Sequence, residues 1–414
     1  MNQTVATAVS EARLWERLMA MAAIGAIPDG GVNRACLTAL DRQARRVLIG
    51  WAGEIGAAVT VDPAGNLWLR RAGTDPAAAP VVTGSHMDTQ PNGGRFDGIY
   101  GVIAGLEALT ALHAAGITTR RPIELVAWTN EEGGRFAPGC MGSMAWSGFK
   151  PLAAFSEVTD PDGVRFADAL AEQLAAEADI CSRSLGHAPH AYVEAHIEQG
   201  PILEAQEKEI GVVSGIQGSR WFTVTLTGET AHAGTTPLAA RRDAVQDMVR
   251  AIAALNALMH DPDDVLRFTV GRIEVAPNTS NSVADRVRFT IDFRHPDKAV
   301  LLARGDAIEG VARAAVRNAG VVVTETFRAL PVAFHPLVVG AVEDAAGALG
   351  LSHMRLPSGA FHDAQFVVPV CPTGMIFVPC RKGISHNPAE YSEPGQLAAG
   401  TRVLSEVLRR LADD

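Results

Sequence analysis

The segment from Thr83 to Gly101 constrains the fold of this chain more than any other part of it. A short apolar run leads into the segment, and His86 and Asp88 follow at once. Asp97 comes after a glycine-rich loop and precedes an apolar stretch typical of a helix. Side chains two residues apart on an extended chain share a face, so we expect His86 to bind a metal ion while Asp88 holds its other ring nitrogen. The alternative for this stretch alone is a structural His–Asp pair, with Asp97 as a helix cap.

The composition is that of a globular protein of two or three domains. The chain has 414 residues, of which 47% are hydrophobic and 20% charged. Its formal net charge of -10 argues against a nucleic-acid partner, which needs a basic face. We expect no membrane span and no signal peptide, because no run of 18 apolar residues or charged leader is evident. Five scattered cysteines without a Cys-x-x-Cys pair fit a reducing, cytoplasmic location.

Alternating strand and helix patterns predict an α/β fold. Apolar runs at 81–83, 122–129 and 191–199 are typical of strands, and the stretch 99–115 is typical of a helix. Strands that alternate with helices indicate a mainly parallel sheet covered by helices on both faces. In such sheets functional groups gather at the carboxyl ends of the strands.

From residue 214 the pattern changes. A strand, a long helix, two strands, a second long helix and a final strand follow one another as far as residue 329. This order is typical of a ferredoxin-like split unit. We therefore predict a discontinuous domain of residues 1–213 and 330–414, and an inserted α+β domain of residues 214–329.

Five candidate metal ligands lie at or beside the ends of predicted elements: His86, Asp97, Glu132, His196 and His386. Two imidazoles on one side, an imidazole and a carboxylate on the other, and a shared carboxylate suit a pair of Zn²⁺ or similar ions. Such a pair activates a water molecule and polarises a carbonyl group. Adjacent side chains diverge, so Glu131 is available as general acid and base beside the metal. The alternative for the Glu131–Glu132 pair alone is a solvated loop.

The motifs around these residues resemble those of one family. The chain contains Gly84-Ser-His-Met-Asp-Thr, Gly93-Gly-Arg-Phe-Asp-Gly, Asn130-Glu-Glu-Gly-Gly-Arg-Phe, His196-Ile-Glu-Gln-Gly-Pro, Gly228-Glu-Thr-Ala-His-Ala-Gly, Asp292-Phe-Arg-His-Pro, Ser358-Gly-Ala-Phe-His-Asp and Gly383-Ile-Ser-His-Asn-Pro. They resemble the motifs of the M20 metallopeptidase superfamily. The similarity is closest to its amidase branch, which holds N-carbamoyl-L-amino acid hydrolases, β-ureidopropionases and allantoate amidohydrolases. The motifs run in family order from residue 84 to residue 388 and so cover most of the chain.

The resemblance implies a role for each candidate ligand. Asp97 would bridge two divalent ions per subunit, with Zn²⁺ preferred and Mn²⁺ or Co²⁺ as alternatives, and Glu131 would be the general base. The other four ligands would form two pairs, His86 with His196 and Glu132 with His386.

The resemblance also implies that the inserted domain forms a homodimer and acts as a lid. His232 would stabilise the oxyanion in the partner subunit's site. Gln199, Asn281 and Arg294 would bind the substrate, with the guanidinium of Arg294 on its carboxylate. Gly359 would place a backbone group on the substrate.

The residues alone leave alternatives open. His232 is also consistent with a turn histidine, and Arg294 with a surface ion pair. His362 and Asp363 are either a further metal pair or residues that orient the loop before them. Cys140 is interpreted as a packing residue, because attack by water makes a thiol nucleophile unnecessary.

The predicted function is hydrolysis of the linear amide or ureido bond of an N-carbamoyl-L-amino acid, giving the amino acid, ammonia and carbon dioxide. The alternatives are an allantoate amidohydrolase, or an aminoacylase or dipeptidase of the same superfamily. A metal-dependent dimeric binding protein without activity is a further alternative, disfavoured by the complete ligand set and Glu131.

Overall fold

The computed structural model describes residues 5–414. Within them, helices α1 to α11 span Glu11–Ala23, Ala39–Glu54, Ile99–Ala114, Met141–Trp146, Phe166–Ala176, Ile202–Ala205, Ala244–Leu258, Lys298–Ala315, Pro336–Ala348, Ala364–Val367 and Pro394–Asp413. Strands β1 to β16 span Ala58–Val61, Leu67–Arg71, Val81–His86, Ile123–Trp128, Cys181–Ser182, Ala191–Ile197, Ile210–Ile216, Gly218–Thr227, Ala231–His232, Arg267–Ala276, Ser282–Val283, Arg286–His295, Gly320–Ala329, Val332–Ala333, His353–Ser358 and Thr373–Val378. None of the described helices is long and apolar enough to cross a bilayer.

The chain divides into two compact units. The first comprises the residues up to Gly215 together with Ala333–Asp414, and the second comprises Ile216–Val332. The sequence predicted an inserted domain at 214–329. The catalytic role of the first unit and the dimerisation and lid roles of the second stay predictions.

A ten-stranded sheet forms the centre of the first unit. Nine strands follow the order β14-β7-β16-β6-β3-β4-β2-β1-β5, and β15 pairs with β7. The central strands β16, β6, β3 and β4 are parallel to one another, and every residue in them is buried. Uninterrupted apolar runs are typical of parallel strands covered on both faces. The predicted α/β fold class is therefore confirmed.

Helix α3 follows the loop after β3 and lies in the core. All its residues from Ile99 to Leu112 are buried, as expected for a helix that is apolar on every side. Gly98, at its N-cap, has a φ of 65°, and a Cβ there would lie 2.2 Å from the ring of His86. Only glycine permits this approach, which keeps the start of α3 against the end of β3.

The second unit is a four-stranded antiparallel sheet with two helices. The strand order is β10-β12-β8-β13, and α7 and α8 pack on this sheet. Apolar residues from strands and helices form its core, among them Val224, Leu255, Phe289 and Ile308. In chain order the main elements are β8, α7, β10, β12, α8 and β13, the order predicted for a ferredoxin-like unit. Strands β9 and β11 form a separate two-stranded ladder.

Candidate metal centre and active site

Four neighbouring parallel strands bring the candidate residues to one edge of the main sheet. β3 ends at His86, and β6 carries His196 at its last position but one. The segment after β4 carries Glu131 and Glu132, and the loop after β16 carries His386. Because β3 pairs with β4 and β6, and β16 pairs with β6, these carboxyl ends are adjacent. The structure thus brings the residues to the position where functional groups of such sheets gather.

Asp97 lies between two groups of donor atoms. Its Oδ1 is 3.3 Å from His196 Nε2 and 4.0 Å from His86 Nε2. Its Oδ2 is 3.2 Å from His386 Nε2, which is in turn 3.3 Å from Glu132 Oε2. Within each group the donor atoms all lie within 4.8 Å of one another. Imidazole nitrogens and carboxylate oxygens at this spacing fit two cations that share Asp97.

Hydrogen bonds fix the tautomer of the two buried histidines. His86 Nδ1 donates to the carbonyl oxygen of Asp88, and His196 Nδ1 donates to that of Ile197, each at 2.9 Å. A carbonyl oxygen only accepts, so Nδ1 carries the proton and Nε2 keeps the lone pair that a metal requires. The prediction that Asp88 holds the ring of His86 is correct for its carbonyl but wrong for its carboxylate, which lies 3.8 Å from Nδ1.

The carboxylate of Asp88 instead holds the backbone of the two glutamates. Its Oδ1 accepts a hydrogen bond from the amide nitrogen of Glu131, and its Oδ2 accepts one from that of Glu132, both at 3.2 Å. The two glutamate side chains then diverge. Glu132 faces His386, whereas Glu131 Oε2 lies 3.4 Å from His86 Nε2. Glu131 is therefore beside the first donor group and Glu132 is part of the second.

The clustered carboxylates favour positive charge at this edge of the sheet. Burial and then the neighbouring carboxylates raise the pKa of Glu131 and that of Glu132 well above the ordinary value. Burial also raises the pKa of Asp88 to about 7. The hydrogen bond to Asp97 raises the pKa of His386 to about 9. Divalent cations would supply the positive charge that this cluster favours, so the electrostatics agree with the donor set.

Gln199 lies beside the shared carboxylate. Its Nε2 donates to Asp97 Oδ2 at 2.9 Å and to Ser385 Oγ at 3.1 Å. Its buried Oε1 has no hydrogen-bond partner among residues 5–414. A buried amide oxygen of this kind is suited to accept a hydrogen bond from a ligand. Gly359 directly follows β15 and is exposed, so its backbone is accessible within the first unit.

Three of the predicted site residues lie in the second unit, namely His232, predicted to stabilise the oxyanion, and Asn281 and Arg294, predicted to bind the substrate. The amide of Ala233 donates to the carbonyl oxygen of Asn281 at 3.0 Å, so His232 and Asn281 are close neighbours at the ends of β9 and β11. Arg294 lies near the end of β12, where its Nη2 donates to Asp292 Oδ2 at 2.8 Å. The structure thus brings two of the three together within the unit and places Arg294 on a different sheet.

A backbone turn fixes the tautomer of His232. Its Nδ1 accepts hydrogen bonds from the amide nitrogens of Gly234 at 3.0 Å and Thr235 at 3.1 Å. A nitrogen that accepts in this way carries no proton, so the proton of the neutral ring is on Nε2. His232 is therefore a turn histidine whose exposed ring keeps Nε2–H available as a donor.

A third group of donor atoms, which the sequence did not predict, consists of Glu194, His196 and His362. Its members already have partners: Glu194 accepts from Ser85 Oγ at 2.7 Å, and His362 Nε2 is 2.9 Å from Ser358 Oγ. Burial lowers the pKa of His362 well below its ordinary value, so its ring is neutral. The ring packs against His196 with 4.5 Å between centroids. We interpret Glu194 and His362 as structural residues that lie beside His196 and are held by hydrogen bonds to other residues.

Two further buried groups lie near Glu131. Cys140 Sγ is 3.6 Å from Glu131 Oε1, and burial raises the pKa of the thiol well above its ordinary value. Cys140 is therefore a protonated packing residue, as predicted. Asp363 accepts a hydrogen bond from Ser143, and burial raises its pKa too. None of the metal-binding groups among the described residues includes Asp363, which leaves the alternative of a His362–Asp363 metal pair without support.

The fold and the donor set are those of a metallohydrolase, and comparison with known proteins identifies the family. The chain matches peptidase family M20/M25/M40 over residues 82–410 and belongs to it. It is 42% identical to the N-carbamoyl-L-amino-acid amidohydrolase of Rhizobium meliloti, over 98% of this chain and 97% of that one. It is 35% identical to the allantoate amidohydrolase of Bacillus subtilis, over 95% of each. The structure of a hydantoinase/carbamoylase family amidase from Burkholderia multivorans matches with a TM-score of 0.91 and 46% identity, over 98% of both chains.

These matches confirm the predicted family and its amidase branch. The family is metal-dependent, and the residues that the structure brings together at the sheet edge provide a candidate metal cluster. The chain is therefore a hydrolase.

Proposed function

We propose that this chain is an amidohydrolase that hydrolyses the ureido bond of N-carbamoyl-L-amino acids to the amino acid, ammonia and carbon dioxide. The observation that carries the proposal is the pair of donor groups that share Asp97, with Glu131 beside the first group. The relative from Rhizobium meliloti, 42% identical over 98% of this chain, supports the substrate class.

We propose two divalent ions per subunit. Zn²⁺ is our first choice and Mn²⁺ or Co²⁺ the alternatives, because sites of nitrogen and oxygen donors accept several metals. Asp97 would contact both ions, and the remaining ligands would be His86 and His196 for one and Glu132 and His386 for the other. When bound, the ions would activate a water molecule and polarise the carbonyl group of the substrate.

Glu131 would transfer the protons of the reaction. It would accept a proton from water as the water oxygen bonds to the ureido carbon, and return it to the leaving nitrogen as the C–N bond breaks. The amino acid leaves with that nitrogen. The remaining carbamic acid decomposes to ammonia and carbon dioxide.

The other proposed substrate contacts follow from the chemistry of each side chain. Arg294 would bind the substrate carboxylate through its planar guanidinium. His232 would donate from Nε2 to the developing oxyanion. Gln199, Asn281 and Gly359 would orient the ureido group. The homodimer, the lid and the cytoplasmic location stay predictions.

Substrate comparison tests the proposal. We expect rapid release of ammonia from N-carbamoyl-L-amino acids, abolished by a chelator and restored by Zn²⁺, Mn²⁺ or Co²⁺. Full activity of rigorously metal-free protein would contradict the metal site.

An allantoate amidohydrolase is the second candidate, favoured by the Bacillus subtilis relative. Preferential release of ammonia from allantoate would establish it, and turnover of N-acyl amino acids or dipeptides alone would indicate an aminoacylase or dipeptidase.

A further inference from the structure

Glu390 is a buried carboxylate that the proposed reaction does not use. It is only 2% exposed and lies four residues after His386. Its Oε1 accepts hydrogen bonds from the amide nitrogens of Phe96 at 2.8 Å and Asp97 at 3.0 Å. Its Oε2 accepts one from Ser385 Oγ at 3.0 Å. One carboxylate therefore joins the segment that carries Asp97 to the segment that carries His386.

Ser385 extends this connection to the side chain of Asp97. Its Oγ lies 3.1 Å from Asp97 Oδ2, the same oxygen that faces His386 Nε2. The single hydroxyl proton is shared between Glu390 and Asp97, while Oγ accepts a hydrogen bond from Gln199 Nε2. Asp97 is thus held at two points, its backbone nitrogen and its Oδ2.

The close approach of Glu390 depends on Gly94. A Cβ at position 94 would lie 2.0 to 2.4 Å from the carboxylate carbon and oxygens of Glu390. Any other residue at position 94 would therefore displace the carboxylate. Burying a carboxylate is unfavourable unless hydrogen bonds compensate it, and here all three donors come from segments that carry a proposed metal ligand.

We propose that Glu390 is a positioning residue for the second metal ion. It holds Asp97 and His386 at the spacing that the ion requires and does not contact the ion itself. The inference rests on the ligand assignment in the proposed function. Hydrogen bonds to metal ligands typically change metal affinity by about 10–100-fold.

Titration of the metal-free protein with Co²⁺, followed by visible absorption, tests the inference independently of turnover. Glu390→Ala should bind the second equivalent of Co²⁺ about 10–100-fold more weakly than wild type and keep the first. Glu390→Gln should bind both nearly as wild type does, because its oxygen can accept from the two amides and its nitrogen can donate to Ser385. Gly94→Ala should reproduce the defect of Glu390→Ala with Glu390 still present.

Two control variants distinguish an error in the role of Glu390 from an error in the ligand assignment and from a general loss of stability. Glu177 is equally buried and pairs with Arg45 at 2.7 Å, so Glu177→Ala should lower the melting temperature without changing Co²⁺ affinity. His386→Ala must lose the second ion, and if it keeps both, the ligand assignment itself is wrong. If His386→Ala loses the ion while Glu390→Ala binds both as tightly as wild type, only the present inference is refuted. If Glu390→Ala and Glu177→Ala both bound the two Co²⁺ equivalents more weakly and to the same extent, the inference would also be refuted, since the effect would then be a general loss of stability.

Discussion

Replacing Glu131 by Gln should separate proton transfer from metal binding. Gln has nearly the same shape, and its backbone amide keeps the hydrogen bond to Asp88. Its side-chain amide cannot take a proton from water, and general acid–base catalysis contributes about 10²–10⁴-fold. At about 1.36 kcal/mol per factor of ten, this loss corresponds to about 3–5 kcal/mol of transition-state stabilisation. We expect kcat to fall by that factor and KM to change little, because the substrate contacts remain.

The structure also predicts that Glu131→Gln leaves the fold intact. Burial and the neighbouring carboxylates raise the pKa of Glu131, so ionisation of this group opposes folding. Removing the ionisable group should therefore not lower the melting temperature of the metal-free protein. A large decrease would show that the side chain has a structural role.

Glu132→Gln is the matched control, since it makes the same change one residue later. Glu132 Oε2 faces His386 Nε2 at 3.3 Å, so this variant should lose affinity for the second ion. The assay is ammonia release at saturating substrate, with metal content measured on the same samples. Loss of metal from Glu131→Gln, with full metal in Glu132→Gln, would reverse the two roles. Wild-type kcat in a fully loaded Glu131→Gln would refute the proton-transfer argument.

Other replacements address the substrate contacts and the stability of the sheet. Arg294→Ala should raise KM by the equivalent of about 2–5 kcal/mol, and equal wild-type rates on acid and amide substrates would contradict this role. His232→Gln should keep more kcat than His232→Asn, because the side-chain amide of Gln reaches the position of Nε2 and that of Asn does not. Loss of the donor should lower kcat by about 10²–10³-fold. A higher kcat for His232→Asn than for His232→Gln would assign the donor to Nδ1. Although burial opposes it, the hydrogen bond from His187 and the charge of Arg183 lower the pKa of Glu124 to about 2. The ionised carboxylate therefore stabilises the fold fully above the pKa of the unfolded state, and this stabilisation is lost as the pH falls through about 2. In Glu124→Gln the free energy of unfolding should therefore depend less on pH in that window. A pH dependence equal to that of wild type would contradict this.

Four of the five candidate ligands could be recognised in the sequence because they lie at or just beyond the carboxyl end of a strand, whereas Asp97 precedes helix α3. His86 and Glu132 come at or after apolar runs, and His386 follows the last strand of the parallel centre. The carboxyl ends of adjacent parallel strands meet at one edge, so closeness to a strand end becomes closeness in space. The same uninterrupted apolar runs made the fold class predictable.

Strands β7 and β15 of the main sheet could not be predicted in this way. β7 contains Gly211, which weakens the strand pattern, yet a Cβ there would lie 2.8 Å from Leu356 and Phe377. The glycine is therefore required by packing against β15 and β16, which only the folded chain shows. β15 has alternating exposure and joins the sheet only by pairing with β7.

The sequence pattern also could not predict which oxygen of Asp88 accepts the hydrogen bond from His86. A spacing of two residues brings both the carbonyl and the carboxylate of Asp88 near His86, and cannot tell which one accepts the hydrogen bond. The choice depends on the amides of Glu131 and Glu132, which attract the carboxylate and lie after a different strand. Sequence patterns report side chains that share an element, whereas this contact joins two elements.

The carboxylates of Asp88 and Glu390 fix the positions of the segments that carry the metal ligands by accepting hydrogen bonds from their backbone amides. Each accepts hydrogen bonds from two consecutive amide groups, those of Glu131 and Glu132 for the first and of Phe96 and Asp97 for the second. Amides in a loop next to a strand or helix lack a regular backbone partner and need another acceptor when buried. Because the carboxylates supply it, the ligand side chains start from defined positions, which lowers the ordering cost of binding an ion. The amide of Phe96 is 294 residues from its acceptor, so the shared carboxylate is held in place only after the chain has returned from the second unit.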